Sequence, residues 1–209
     1  MGLFVQREDT GLAKGFYVLQ KGTTKLIVGL GNIGDQYVMN RHNAGFLTLD
    51  HFADQNHGSW TTKKALKCDL TEVRLGENKV ILVKPHTMMN LSGDAVSAVQ
   101  RFYKITNTDT AVVYDELDMP FGTVRGRLAG SSGGHNGVKS LIKHIGEDFT
   151  RIRIGISNEH SSNIDTADFV LANFSRAEQA KLPSIITLAE QQITDFVSGE
   201  FKPHTLSDK

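Results

Sequence analysis

The chain has 209 residues, with 23 Lys+Arg balancing 23 Asp+Glu, 39% hydrophobic residues and one cysteine. That length suits one domain with a sizeable core, and the even charge confines any nucleic-acid surface to a local patch. The lone Cys68 excludes an intrachain disulfide and a cysteine-based zinc site, and no apolar run approaches the roughly 18 residues of a transmembrane helix.

Residues 1–24 are weakly periodic, with turn signals at Asp9-Thr10-Gly11 and Lys21-Gly22. They carry no secretory apolar core, so a reducing cytoplasm is the expected setting, and they read as an N-terminal extension, native or appended. Lys25–Leu30 is an apolar run expected to form a buried strand. After a polar loop, Phe46, Leu49 and Phe52 fall at helical spacing within Gly45–Gln55. Leu70–Arg74 and Lys79–Lys84 predict a hairpin around Gly76-Glu77-Asn78. Ser92-Gly93-Asp94 opens a helix expected to share Val96, Val99, Phe102 and Tyr103 on one face. Ala111–Tyr114 predicts a second buried strand, and Thr123–Leu128 a more polar one. The glycine-rich stretch Gly130–Gly134 leads to a helix, Gly137–Ile145, and then to a strand, Arg151–Ile156. A long helix is expected from Ser175 to Val197. No repeat or low-complexity linker interrupts the series. The alternation argues an α/β fold: a single three-layer domain, its mixed, largely parallel twisted sheet flanked by helices. The expected division is 1–24 extension, 25–198 domain and 199–209 C-terminal tail.

Two motifs invite familiar chemistry. Gly29-Leu30-Gly31-Asn32-Ile33-Gly34 satisfies G-x-G-x-x-G. A dinucleotide fingerprint also needs a helix opening at the glycines and an acidic residue about 20 positions on, at the end of a second strand. Here the glycines run into loop-like sequence, and Asp50 falls inside the expected helix. Gly130-Ser131-Ser132-Gly133-Gly134 matches G-x-S-x-G, which would make Ser132 an acyl-enzyme nucleophile. The preceding strand carries Arg125 and Arg127, whereas the strand before such an elbow is usually apolar.

What remains is a set of polar islands at the ends of apolar elements: Asn32, His42-Asn43, Met89-Asn90, Asp115-Glu116-Leu117-Asp118 and Gly133-Gly134-His135-Asn136-Gly137. Open α/β sheets bind ligands at strand C-terminal ends, where such islands would converge. Each asparagine alone also fits a turn or helix cap. Together they have chemical coherence. A histidine backed by a carboxylate serves as general base near neutrality, and side-chain amides serve a carbonyl, its oxyanion and an attacking water. The set needs no Ser or Cys nucleophile, no metal and no cofactor, and it suits hydrolysis of an activated ester.

The islands, in order, resemble bacterial-type peptidyl-tRNA hydrolase: KLIVGLGNIG, Tyr37 followed by RHNAG, MMNLSG, YDELDMPFG, GSSGGHNGVKS, RIRIGI and DFVLANF. The resemblance covers roughly Lys25 to Val197. It implies cleavage of the ester between a peptide and the 3′-terminal ribose of tRNA, which recycles tRNA from prematurely released peptidyl-tRNA. It implies His42 as general base, Asp115 as its orienting partner, and Asn90 and Asn32 as groups positioning water or substrate and stabilising the oxyanion. Asn136 would gate or bind the peptide and CCA end, with His135 beside it in substrate binding, and Tyr37 and Met89 would line the cleft. The opening glycines would then let the chain turn sharply and expose Asn32. The implied partner is peptidyl-tRNA, held by its acceptor stem and CCA end, with the protein a monomer away from any membrane.

The expected RNA surface has support in the residues themselves. On the helix after Gly134, Leu141, Ile142 and Ile145 would face the core and Lys139 and Lys143, four apart, would face out. Arg125 and Arg127 alternate along one strand. By resemblance, Arg127 and Arg153 fall where the family clamps the tRNA 5′-phosphate. Ile33 stands where the family usually has Pro, and Met88 where it usually has Phe. A second reading is a non-catalytic RNA-binding homologue of the same fold, like the plant chloroplast splicing factors that resemble this family.

Overall fold

The computed structural model describes residues 22–208; most of the expected N-terminal extension lies outside the described residues. The chain builds one eight-stranded sheet in the order β2-β3-β4-β1-β5-β7-β6-β8. Its strands are β1 (Thr24–Gly29), β2 (Thr61–Lys63), β3 (Cys68–Leu75), β4 (Asn78–Pro85), β5 (Thr110–Pro120), β6 (Thr123–Arg127), β7 (Thr150–Ser157) and β8 (Thr205–Ser207). β4, β1, β5 and β7 run parallel, and antiparallel strands close both edges. The helices are α1 (Ala44–Gln55), α2 (Ser92–Tyr103), α3 (Asn136–Ile145), α4 (Thr166–Leu171) and α5 (Arg176–Ser198).

Central parallel strands are covered on both faces, so they read as unbroken apolar runs. Alternate residues of β1 enter two cores. Ile27 joins α1 and α5 on one face, while Leu26 and Val28 join Val96 and Val99 of α2 and Val138 and Leu141 of α3 on the other. The three-layer expectation therefore holds. So do the expected hairpin, closed by the Leu75–Asn78 pair with Gly76 at positive φ, and the long helix, whose Ser175 and Glu178 form a capping box.

The differences are instructive. Phe102 is 66% exposed rather than buried with Val96 and Val99, because it sits about 100° from the Tyr103 position on the helical wheel. β5 runs on through Asp115-Glu116-Leu117-Asp118 to Pro120, so this island is strand rather than the loop after one. β2, α4 and β8 are too short to leave a periodic signal, and β8 joins the sheet only by pairing with β6.

Topology places the crevice. From β1 the chain crosses by α1 toward β4 on one side, and from β4 by α2 to β5 on the other. The C-terminal end of β1 is thus a switch point, where open α/β sheets receive ligands. β1 leaves the sheet after the Gly29–Val113 pair, while β5 continues beside β7 through the Asp115–Ile154 pair. Asp115 therefore stands two residues past the end of its neighbour, at the open mouth.

Candidate active site

A cleft of about 700 Å³ lies at this mouth. Its walls include Asn32, Tyr37, His42, Met89, Asn90, Asp115, His135 and Asn136, so the scattered islands do converge. Arg125, Lys139 and Lys143 lie outside it, and Arg127 and Arg153 line a separate, smaller pocket.

Each side chain is fixed by identifiable contacts. His42 sits on a single 3-10 turn, Arg41–Asn43, just before α1. Arg41 anchors that turn: its guanidinium lies 4.4 Å from the Phe169 ring centre, and its Nη2 donates to Glu178 Oε2 at 2.8 Å. Burial opposes ionisation of Glu178, but hydrogen bonds from Ser175 and Asn158 and the Arg41 charge hold its carboxyl below the ordinary range. On the other side of His42, Asn43 Oδ1 accepts from the Asn32 backbone N–H and Asn43 Nδ2 donates to Asn32 O, both at 2.9 Å.

Asn32 is 5% exposed, and its Oδ1 accepts from the Met89 backbone N–H at 2.9 Å. This corrects the expectation that the glycines expose it by a sharp turn. Gly29 and Gly31 instead permit close packing against α1. A Cβ on Gly29 would lie 2.5 Å from Gly45 O, and one on Gly31 2.6 Å from the Phe46 ring. Only a three-residue 3-10 turn, Asp35–Tyr37, follows the glycines, and no α-helix opens there to meet a pyrophosphate; α1 starts at Ala44. The serine-elbow alternative also lacks its geometry. Ser132 follows an antiparallel strand, and among the described residues no histidine hydrogen-bonds to its hydroxyl.

His42 and Asp115 form a buried dyad, 8% and 2% exposed. His42 Nδ1 lies 2.9 Å from Asp115 Oδ1 and 3.0 Å from Oδ2. A carboxylate only accepts, so Nδ1 carries the hydrogen and the Nε2 lone pair is left toward the cleft. Burial works against charging the ring, but the Asp115 carboxylate outweighs it and raises the His42 pKa above the ordinary value. Burial likewise opposes ionisation of Asp115, yet the two histidines beside it hold the carboxyl well below the usual range.

The second of these is His135. It is the N-cap of α3, a role the sequence left open for Asn136 instead. Its Nδ1 accepts from the backbone N–H groups of Gly137 and Val138 at 3.1 and 3.2 Å, and its Nε2 lies 3.0 Å from Asp115 Oδ1. His42, Asp115 and His135 bring possible ligand atoms within 4.8 Å. However, the cap puts a hydrogen on His135 Nε2 where a metal needs a lone pair, so the trio is built as a hydrogen-bonded chain.

Asn90 and Asn136 are exposed on the rim, and among the described residues their side-chain amides make no hydrogen bond within the protein. Met89 is buried and packs beneath Gly137, whose Cβ would strike its sulfur. Met88, 48% exposed, joins the cleft wall with Val170 and Leu171 of α4. Cys68 is buried, its thiol pushed up to about 12 chiefly by burial, and takes no part.

The cations gather on one sheet face. Arg125 lies opposite Arg153 and Arg127 opposite Arg151 across the β6–β7 ladder, and directly opposed residues share a face. Arg127, Arg151 and Arg153 line a pocket of about 180 Å³, walled also by Tyr114 and Glu116. Arg153 Nη1 donates to Glu116 Oε2 at 3.0 Å, and Glu116 lines both pocket and cleft. The sequence alone assigned no role to Arg151 or Arg41, and placed Glu116 in an island without its partner. Arg151 alternates with Arg153 at strand spacing and was legible; Arg41 and Glu116 acquire their roles only through partners distant in sequence.

The family model described as peptidyl-tRNA hydrolase matches residues 26–207. Peptidyl-tRNA hydrolase of Brevibacillus brevis is 45% identical over 166 residues, 79% of this chain and 87% of that one. The enzyme of Frankia alni is 41% identical, covering 85% and 90%. The crystal structure of peptidyl-tRNA hydrolase from Acinetobacter baumannii aligns with a TM-score of 0.76 and 34% identity, over 85% of this chain and 90% of that chain. With its sheet topology, its converging polar islands and these likenesses, the chain belongs to the peptidyl-tRNA hydrolase family.

Proposed function

We propose that this protein hydrolyses the ester joining a peptide, or an N-blocked aminoacyl group, to the 3′-terminal ribose of tRNA, with His42 as general base. The observation carrying this reading is the His42–Asp115 dyad, with its unpaired Nε2 lone pair beside three asparagine amides in one cleft. A water held near His42 Nε2 gives up its proton to that nitrogen as its oxygen attacks the ester carbonyl. The resulting oxyanion is met by amide N–H donors. Asn32 Oδ1 already accepts from the Met89 backbone N–H, which fixes the amide and leaves its NH₂ as a donor, while Asn90 and Asn136 are free to turn toward substrate or water. Collapse expels the ribose oxygen, which takes the proton from the His42 imidazolium, and the peptide acid releases its remaining proton to solvent, leaving a peptide carboxylate and tRNA. Tyr37, Met88 and Met89 wall the peptide side.

The CCA end enters the cleft and the acceptor stem lies along the arginine face. Arg127 and Arg153, in a pocket of phosphate size, take the 5′-phosphate, with buried Arg151 behind them. Lys139 and Lys143, exposed on α3 opposite buried Val138 and Leu141, reach more of the backbone. Such contacts carry affinity without sequence information, as handling many tRNAs requires. Every residue invoked comes from one chain, consistent with a monomer. Among the described residues no helix is long and apolar enough to cross a membrane. A substrate that arises where ribosomes work supports a cytoplasmic reading. Nothing in the site favours the non-catalytic RNA-binding reading, since the dyad is complete.

The test is release of free tRNA from N-acetyl-aminoacyl-tRNA in EDTA. Rapid release supports the reading; intact substrate with retained tRNA binding would replace it with the RNA-binding one. The cations are tested separately. Lys139→Ala with Lys143→Ala should weaken tRNA binding and reduce the slope of log affinity against log salt by about one to two. An identical slope in the double variant would remove these lysines from the phosphate contacts.

A further inference from the structure

We infer that His135 is not a substrate-binding group but a positioning residue, locked by the N-terminus of α3 as a donor to Asp115, that sets the basicity of His42. The lock is geometric. Two backbone N–H groups, of Gly137 and Val138, point at Nδ1, so that nitrogen must present its lone pair and the hydrogen must sit on Nε2. A second proton would face both amide hydrogens at the positive end of a ten-residue helix. Nε2–H therefore donates permanently to Asp115 Oδ1, the oxygen that also receives His42 Nδ1–H. The two imidazoles lie 4.8 Å apart, and only one of them is free to take up a proton during the reaction.

The consequence concerns how one carboxylate is shared. Each donor to Asp115 withdraws part of the negative charge that would stabilise a His42 imidazolium. His135 thus tempers the base: it keeps the carboxylate ionised and oriented but limits how strongly it holds the proton on His42. A base whose proton is held too tightly is mostly protonated at neutral pH and cannot activate water. Other groups facing the trio leave this arrangement intact. Tyr114, its ring centre 5.0 Å from that of His135, is kept neutral by burial. Glu116 is paired with Arg153, and Asp118, Asp165 and Tyr37 stand further along the cleft wall without bonding to the trio. The same link joins chemistry to the glycine-rich loop, because the His135 backbone N–H donates to Ser132 O at 3.0 Å.

The inference rests on His42 as base, but its test does not need turnover. Two substitutions divide the functions of the ring. In His135→Asn the amide oxygen replaces Nδ1 and still caps α3, but nothing reaches Asp115. In His135→Gln the amide nitrogen replaces Nε2 and still donates to Asp115, but the cap is lost. The probe is nitrogen NMR of the labelled histidines across pH, with thermal melting and kcat/KM alongside. In the wild type, His135 should keep an unprotonated Nδ1 and a protonated Nε2 throughout the His42 titration. His135→Asn should move the His42 midpoint to higher pH, lower kcat/KM at neutral pH about tenfold, and leave the melting temperature nearly unchanged. His135→Gln should keep the midpoint and lower Tm by about 2–4 °C. A His135 that takes up a second proton in step with His42, or a His42 midpoint unmoved in His135→Asn, would overturn the assignment. If the wild type failed to hydrolyse the ester while these titrations behaved as expected, the function would fall and the proton lock would stand.

Discussion

Replacing His42 with alanine is expected to lower kcat/KM for N-acetyl-aminoacyl-tRNA by about 10²–10⁴-fold while the protein remains folded. The loss follows from the site's economy. Among the groups lining the cleft, only His42 joins a free lone pair to a charged partner that stabilises the ring once protonated. The fold should survive, because Asp115 keeps His135 as a donor and Arg41 still anchors the turn to Phe169 and Glu178. Circular dichroism and tRNA binding of the variant serve as controls. A near-wild-type rate would remove His42 as the base. The wild type carries a companion expectation. The base must be unprotonated to act, and Asp115 raises its pKa above the ordinary 6.5, so activity should fall on the acid side with a midpoint above that value. A midpoint below it would mean the dyad is not assembled in solution.

Asp115→Asn should cost about 10²–10⁴-fold in kcat, with substrate affinity largely kept. The substitution is nearly isosteric, so its effect is electronic. One oxygen survives to accept, but the charge that stabilises the imidazolium is gone. The new NH₂, placed where Oδ2 lies 3.0 Å from His42 Nδ1, favours the tautomer with its hydrogen on Nε2. That tautomer has no lone pair facing water. The wild-type carboxylate also links fold to pH: its folded pKa is depressed, so its contribution to stability is present above the unfolded value and is lost as pH falls through the folded one. The asparagine variant should lack this share of acid sensitivity. An unchanged pH–rate profile in Asp115→Asn would show that the carboxylate does not govern His42.

The secondary structure was legible where one period dominated. The apolar run of β1, the capping box of α5 and the two-residue turn between β3 and β4 are local signals, each set by neighbours within a few residues. α4 and β8 are not local. Six residues of α4 have too few turns to show a stripe, and β8 exists because β6 offers an unpaired edge.

The candidate site divides the same way. The sequence by itself determined which residue types are present, that their islands fall at element ends, and that their order resembles one hydrolase family. It could not decide between cap and catalyst for any asparagine or histidine, because a side chain's role depends on what stands opposite. Tertiary structure decided that Asn32 is a buried brace whose oxygen accepts from the Met89 backbone N–H, and that His135 rather than Asn136 caps α3. It also brought His42, 73 residues away along the chain, and His135, 20 residues away, onto one carboxylate. The reason is that proton position is set by the direction of neighbouring donors and acceptors, and those directions exist only once β1 leaves the sheet and β5 runs on past it to carry Asp115 into the open crevice.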